Sequence, residues 1–193
     1  MSRLNLTKIA TPNAPSSNHG EIFYSSTLTP NGPAWIDETG TVTALLTPQT
    51  VKNTSDFVGT SSTTLTNTTG IAFSVVSGTY YRFYFGVVFQ SANVGAGLKI
   101  GLTTPTFTRF AAHAVIPIAA DGTAADFGGQ ISSSGDSVVG TAVEVITTDY
   151  FATVEGLILP SANGTLQLQH ARGGASASNI TIRQGTFGHL WQL

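Results

Sequence analysis

The 193-residue chain predicts an all-β fold, an antiparallel β-sandwich of jelly-roll type with an extended N-terminal arm. Three observations predict it. In Tyr80-Tyr81-Arg82-Phe83-Tyr84-Phe85-Gly86-Val87-Val88-Phe89-Gln90, the residues Tyr81, Phe83, Phe85, Val87 and Phe89 fall on every second position. That period sends five large apolar side chains to one face of a strand and would scatter them around a helix. Short apolar runs then recur to the end of the chain, broken by Gly, Asn, Ser and Pro, with no long helical pattern among them. Finally, charged residues make up only 9 % of a chain with 41 % hydrophobic residues and 11 phenylalanines. An ordinary soluble protein carries about 25 % charge, yet this apolar content is enough to build a core.

In chain order, residues 1–19 contain Thr11-Pro12-Asn13-Ala14-Pro15-Ser16-Ser17-Asn18, which prolines and small polar residues keep out of helix and central strand. This reads as an arm. Glu21 to Ser26 reads as a strand, Pro30-Asn31-Gly32-Pro33 as a turn, Ala34 to Asp37 as a second strand and, past Glu38-Thr39-Gly40, Thr41 to Leu46 as a third. Three short strands bury little alone, so residues 1–50 are expected to lean on the remainder or on other subunits. Pro48 to Ser55 is polar and reads as a boundary or a short helical turn.

From residue 51 onward a sandwich is expected, with eight or nine strands between 57 and 193. Thr63–Thr66 and Gly70–Val75 lead into the long Tyr80–Gln90 strand. Leu98, Ile100 and Leu102 alternate inward against Lys99 and Thr103, and Thr108–Ile118 continues with Arg109 and His113 as polar interruptions. Asp121-Gly122 is a turn, and Gly128–Gly140 a loop around a strand at Gln130 and Ile131. Ala142–Ile146, Tyr150–Leu159, Gly164–His170, Asn179–Arg183 and Phe187–Leu193 complete the strands. Asn163-Gly164 is a strong hairpin dipeptide and predicts that its flanking strands pair.

Composition narrows the function classes. A net charge of -2 and scattered arginines, Arg82, Arg109, Arg172 and Arg183, do not supply the clustered cations that phosphate binding requires, so no nucleic-acid partner is expected. No apolar run approaches membrane-spanning length. The absence of cysteine removes disulfides, thiolate metal sites and a cysteine nucleophile, and Met1-Ser2-Arg3-Leu4-Asn5 opens no secretory segment. Synthesis in a cytoplasm without export is the expectation. A surface of Thr, Ser, Asn and Gly suits contact with other subunits, because the core of such an interface is poor in charge.

Catalytic patterns are weak. His19, His113, His170 and His189 form no helical pair and adjoin no carboxylate, and Asp121 and Asp126 lack the ligand spacing of a calcium loop. No cofactor or metal is expected. Glu144 and Glu155 are the one carboxylate pair in strong strand patterns, as a glycosidase would need, but outward positions on a sheet explain both. Nucleophile-elbow, phosphate-loop and dinucleotide motifs are missing, so no enzyme activity is expected. Trp35 and Trp191 read as packing anchors or as indoles that stack on a sugar, with Trp191 the candidate glycan contact.

Leu4-Asn5-Leu6-Thr7-Lys8 with Pro12 and Pro15, Glu21-Ile22-Phe23-Tyr24 and Trp35–Val42 resemble the N-terminal region of tailed-bacteriophage virion proteins. Tyr80–Phe83, Phe151–Ile158, Gly164–Arg172 and Ile180–Thr186 are similar to the β-domains of phage head-decoration and fibre or tail proteins. The resemblance implies a homotrimer on the exterior of a head or tail, with residues 1–50 attaching or threading and residues 51–193 forming the knob. It implies a capsid decoration, or cement, protein whose partner is the major capsid protein or another virion protein, with Ile22, Phe23, Tyr24, Trp35 and Ile36 as attachment residues. The alternative it implies is a fibre or tail tip that recognises a host-surface glycan.

Overall fold

The structure is a computed structural model and describes residues 8–9, 13–14, 21–25, 32–44, 48–59, 61–119 and 125–193. The Asp121-Gly122 turn, His19 and most of the predicted arm lie outside these. Among the described residues every regular element is a strand. The chain divides into two units, Met1–Thr47 and Pro48–Leu193.

The first unit is a four-stranded sheet in sequence order: β1 (Lys8–Ile9), β2 (Glu21–Ser25), β3 (Gly32–Ile36) and β4 (Val42–Ala44). β1 runs parallel to β2 and the other pairs are antiparallel. Phe23, Ala34 and Ile36 are buried together with Val42 packed on them. The β3–β4 turn is organised by Asp37, whose Oδ1 accepts hydrogen bonds from the amides of Thr39 and Thr41 (2.9 Å each) and from the Thr39 hydroxyl (2.6 Å). These donors, the Thr39 hydroxyl foremost, hold the exposed Asp37 carboxyl below its ordinary range. Gly40 closes the turn at φ 84°, where a side chain would strain the backbone.

The second unit begins with β5 (Gln49–Lys52) and β6 (Phe57–Val58), then β7 (Thr66–Val75), β8 (Tyr81–Ser91), β9 (Leu98–Thr103), β10 (Phe107–Ile116), β11 (Phe127–Ile131), β12 (Ser137–Val139), β13 (Tyr150–Pro160) and β14 (Gly164–Arg172). It ends with β15 (Ile180–Ile182) and β16 (Phe187–Gln192). One sheet runs β12-β9-β14-β7 and the facing sheet runs β11-β10-β13-β8, continued by β15, β6, β16 and β5. The pairs β7/β14, β8/β13, β9/β12 and β10/β11 are those of one long hairpin rolled into two sheets. That is a jelly roll.

The alternation read from sequence sets the core. Tyr81, Phe83, Phe85, Val87 and Phe89 are all buried, as are Leu98, Ile100 and Leu102. The β8 side chains meet Ile71, Phe73, Leu166 and Leu168 of the opposite layer, the layer to which β9 belongs, with the Phe73 and Phe85 rings 5.7 Å apart across the sandwich. Each such side chain contributes about 1.5–3 kcal/mol by leaving water, which makes β8, flanked by β13 on one side and by β15 and β16 on the other, the centre of the larger sheet.

Several expectations are corrected. Residues 48–55 hold no helical turn: Gln49–Lys52 is strand β5, paired with β16, so it belongs to the second unit. Thr66 and Val75 are ends of one strand rather than two, with an irregularity between. There Thr68–Ile71 stand opposite Leu168 alone, Gly70 adopts φ 78°, and Gln167 Nε2 donates to the carbonyls of Thr68 (2.8 Å) and Ile71 (3.0 Å). Asn163-Gly164 makes no hairpin, because β13 and β14 lie in opposite sheets; Asn163 Oδ1 instead accepts from the Ser77 amide at 2.9 Å. Ala142–Ile146 is not a strand. Thr147 sits at φ 57°, and Tyr150 Oη both accepts from Val145 N–H and donates to Val145 C=O at 2.9 Å, which pins this segment as a loop.

Candidate functional site

The two sheets expose different chemistry, and each unit has one face of interest. In the small unit, the register places Ile22 directly opposite Trp35 and Phe23 opposite Ala34. Alternation then separates the proposed attachment residues into two groups. Ile22 and Trp35 are 50 % and 39 % exposed, whereas Phe23 and Ile36 are buried in the unit's own core. Phe23 and Ile36 are therefore occupied in holding this sheet together and do not reach a partner while it is folded. Tyr24 pairs with Pro33 in the same ladder, and its side chain lies outside the described part.

In the sandwich, the outward face of the larger sheet carries a run of rings. Along β16 the residues Phe187, His189 and Trp191 point outward, alternating with buried Gly188 and Leu190. The His189 ring centre is 5.2 Å from that of Phe187 and 5.6 Å from that of Trp191. Phe187 reaches across β8 to Phe151 of β13 at 6.4 Å and lies 5.9 Å from Tyr84. Gly86 makes the crossing open. A Cβ there would stand 2.6 Å from the Phe187 ring and 2.8 Å from the Phe151 ring, so only hydrogen lets both rings lie over the central strand.

Polar groups border this ridge. Arg82 and Glu155 form an exposed ion pair at 3.7 Å, and the Arg82 guanidinium lies 5.8 Å from the Trp191 ring centre. The Thr50 hydroxyl and His189 Nδ1 share a 3.0 Å hydrogen bond that fixes the imidazole. Tyr84 is held above its ordinary phenol range, first by partial burial and then by the nearby Glu155 charge. Trp191, the residue singled out from sequence, is thus one end of a larger surface, half-buried and in tilted contact with the His189 ring rather than isolated. Phe187, Phe151, Tyr84 and Gly86 were not singled out with it.

The remaining candidates do not converge. Glu144 lies in the loop ahead of β13, and its amide donates to Ile118 C=O at 3.0 Å, while Glu155 lies within β13 opposite Tyr84 and His113. Both are exposed. His113 is exposed, His189 belongs to the ring ridge, and His170 is buried inside the sandwich. Among the described residues no group of three or more His, Asp and Glu is disposed to hold a metal.

No protein-family model matches the chain, and no curated protein matches it. Two solved structures show a remote likeness. The infectious bursal disease virus VP2 subviral particle is 9 % identical, with a TM-score of 0.26 over 90 % of this chain and 46 % of that one. The infectious bursal disease virus Gx strain structure is 15 % identical, with a TM-score of 0.26 over 92 % of this chain and 43 % of that one. The chain spans less than half the length of either. At these scores the likeness carries no inference, and the jelly-roll assignment rests on strand order.

Proposed function

We propose that this chain is a structural component of a bacteriophage virion, a capsid decoration protein that binds the outer shell as a homotrimer through its small N-terminal unit. The observation that carries the reading is the exposed cross-strand pair Ile22 and Trp35 on the small sheet. A sheet whose buried core among the described residues is Phe23, Ala34 and Ile36, yet which leaves an isoleucine and an indole in water, has a surface suited to a second protein. The resemblance of residues 4–42 to phage virion proteins, the low charge, and a jelly roll, an architecture used by viral capsid domains, support it by analogy. The partner is the major capsid protein or another virion protein. The assembly stands on the exterior of the particle, and its synthesis is in the host cytoplasm.

The test joins light scattering after size exclusion to mixing with undecorated shells. A mass near three chains and saturable shell binding are expected, and Ile22→Ser with Trp35→Ser should abolish binding while leaving the trimer intact. A monomer, or shell binding unchanged in the double variant, overturns the reading. A second reading, a fibre or tail tip that recognises a host-surface glycan, is favoured by the ring ridge on the larger sheet.

A further inference from the structure

We infer that the outward face of the larger sheet, from Trp191 to Phe151, is a binding platform for a neutral, extended polysaccharide. The inference deepens the glycan-recognition reading by assigning its site and ligand class, and it is independent of attachment through the small unit.

Four rings in succession, Trp191, His189, Phe187 and Phe151, lie 5.6, 5.2 and 6.4 Å apart, on the scale at which sugar rings repeat along a chain. Phe151 is 48 % exposed. A phenyl group left half in water forgoes much of the roughly 1.5–3 kcal/mol that burial returns, and its exposure beside other rings marks a recognition surface. Gly86 removes the side chain that would part them.

The polar neighbours choose the occupant. A sugar presents C–H faces that pack on rings and hydroxyl edges that need donors and acceptors, and this face offers both. Arg82 and Glu155 flank the rings as an exposed pair, with the Tyr84 side chain between the ring row and Glu155. A protein partner would bury charges of this kind at the heart of its interface, where they are depleted. Arg82 and Glu155 offset each other at 3.7 Å, and Lys52, opposite Phe187 on β5, adds a single exposed cation rather than the cluster that would draw in an acidic chain. The rings form a row along β16 that crosses β8 to Phe151, rather than a pocket, which fits several sugar units of a chain better than a single sugar. Jelly rolls serve lectin domains as well as capsids, an analogy that agrees with this chemistry.

The test is affinity electrophoresis of the full chain in gels containing dextran, a linear β-1,3-glucan or galactomannan as neutral probes, and hyaluronan as an acidic one. Retardation by at least one neutral polysaccharide, insensitive to salt, is expected, with at least tenfold weaker affinity in Phe151→Ala and in Trp191→Ala. Val94→Ala, in the exposed β8–β9 loop, should bind as the unaltered chain does. Thermal melts of the variants verify folding, and Phe151→Tyr, which keeps the ring, should restore binding. No retardation by any neutral probe, retardation by hyaluronan alone, or retardation unchanged in both ring variants overturns the inference. Dissociation of the oligomer by Phe151→Ala, without glycan binding in the unaltered chain, also overturns it by making the ridge a subunit contact. Shell binding that persists in any of these outcomes leaves the attachment reading standing.

Discussion

His170 Nδ1 and the Thr68 hydroxyl share a 2.8 Å hydrogen bond inside the sandwich, while His170 Nε2 has no hydrogen-bond partner among the described residues. Phe57 meets the imidazole edge-on at 5.3 Å, and Gly59 lies against Nε2, leaving no room there for a side chain. Burial lowers the His170 pKa from 6.5 to about 4.

This depression makes stability depend on pH in a defined window. Between 6.5 and about 4 the unfolded chain takes up a proton at this position and the folded chain does not. Stability is therefore whole above the unfolded value and falls as pH drops toward the folded one, by up to about 3 kcal/mol. Urea denaturation at pH 7.5, 5.5 and 4.5 should show the decline, and His170→Gln should remove that part of it. An equal slope in the variant would assign the acid sensitivity to other groups.

The β7 irregularity depends on one amide. Gln167 Nε2 donates to the carbonyls of both Thr68 and Ile71, where the register between β7 and β14 shifts. Gln167→Leu should cost about 1–3 kcal/mol, the penalty of stranded carbonyls, whereas Gly70→Ala should cost about 1–2 kcal/mol through its left-handed backbone. Chemical denaturation of both variants measures the difference, and a neutral Gln167→Leu would show that water replaces the amide.

Two glycines in the sandwich should respond differently to alanine. A Cβ on Gly97 would stand 2.1 Å from the Gly140 carbonyl oxygen, a backbone atom held by its own neighbours, whereas on Gly86 it would meet only the far ends of two phenylalanine rings. Gly97→Ala is expected to destabilise by about 3 kcal/mol or more, as overpacking against backbone does. Gly86→Ala should shift the melting temperature little but weaken polysaccharide binding, because Phe187 and Phe151 must part. Similar melting temperatures for the two variants would contradict this ranking.

Arg183 pairs with Asp56 and, through Nε at 3.3 Å, with Asp149. Asp56 also accepts from the Gln184 amide at 2.7 Å. These groups are a third or more exposed, so each pair contributes about 1 kcal/mol or less. Asp56→Ala should nevertheless cost more than Asp149→Ala, since it alone frees a backbone donor. A double-mutant cycle with Arg183→Gln separates the ion pair from that hydrogen bond.

What was legible along the chain was what a single strand decides. The pattern of β8 gave its inward residues because successive side chains point to opposite faces whatever the partner. The Asn163-Gly164 misreading shows the limit: the dipeptide favours a tight reversal, but only the packing of two layers decides that β13 and β14 lie in different sheets. Likewise Ala142–Ile146 has strand composition, and the Tyr150 hydroxyl holds it as a loop.

The sequence by itself determined an all-β chain, the buried face of its central strands and the change in character near residue 50, because these follow from local period and composition. The tertiary structure alone decided the boundary at residues 47 and 48, the jelly-roll order, the division of Ile22 and Trp35 from Phe23 and Ile36, and the ring ridge. Phe151 and Phe187 meet only because β13 and β16 both pair with β8. The physical reason is that contacts across a sheet join residues remote in sequence, and their register is fixed by the packing of the whole core rather than by any one strand.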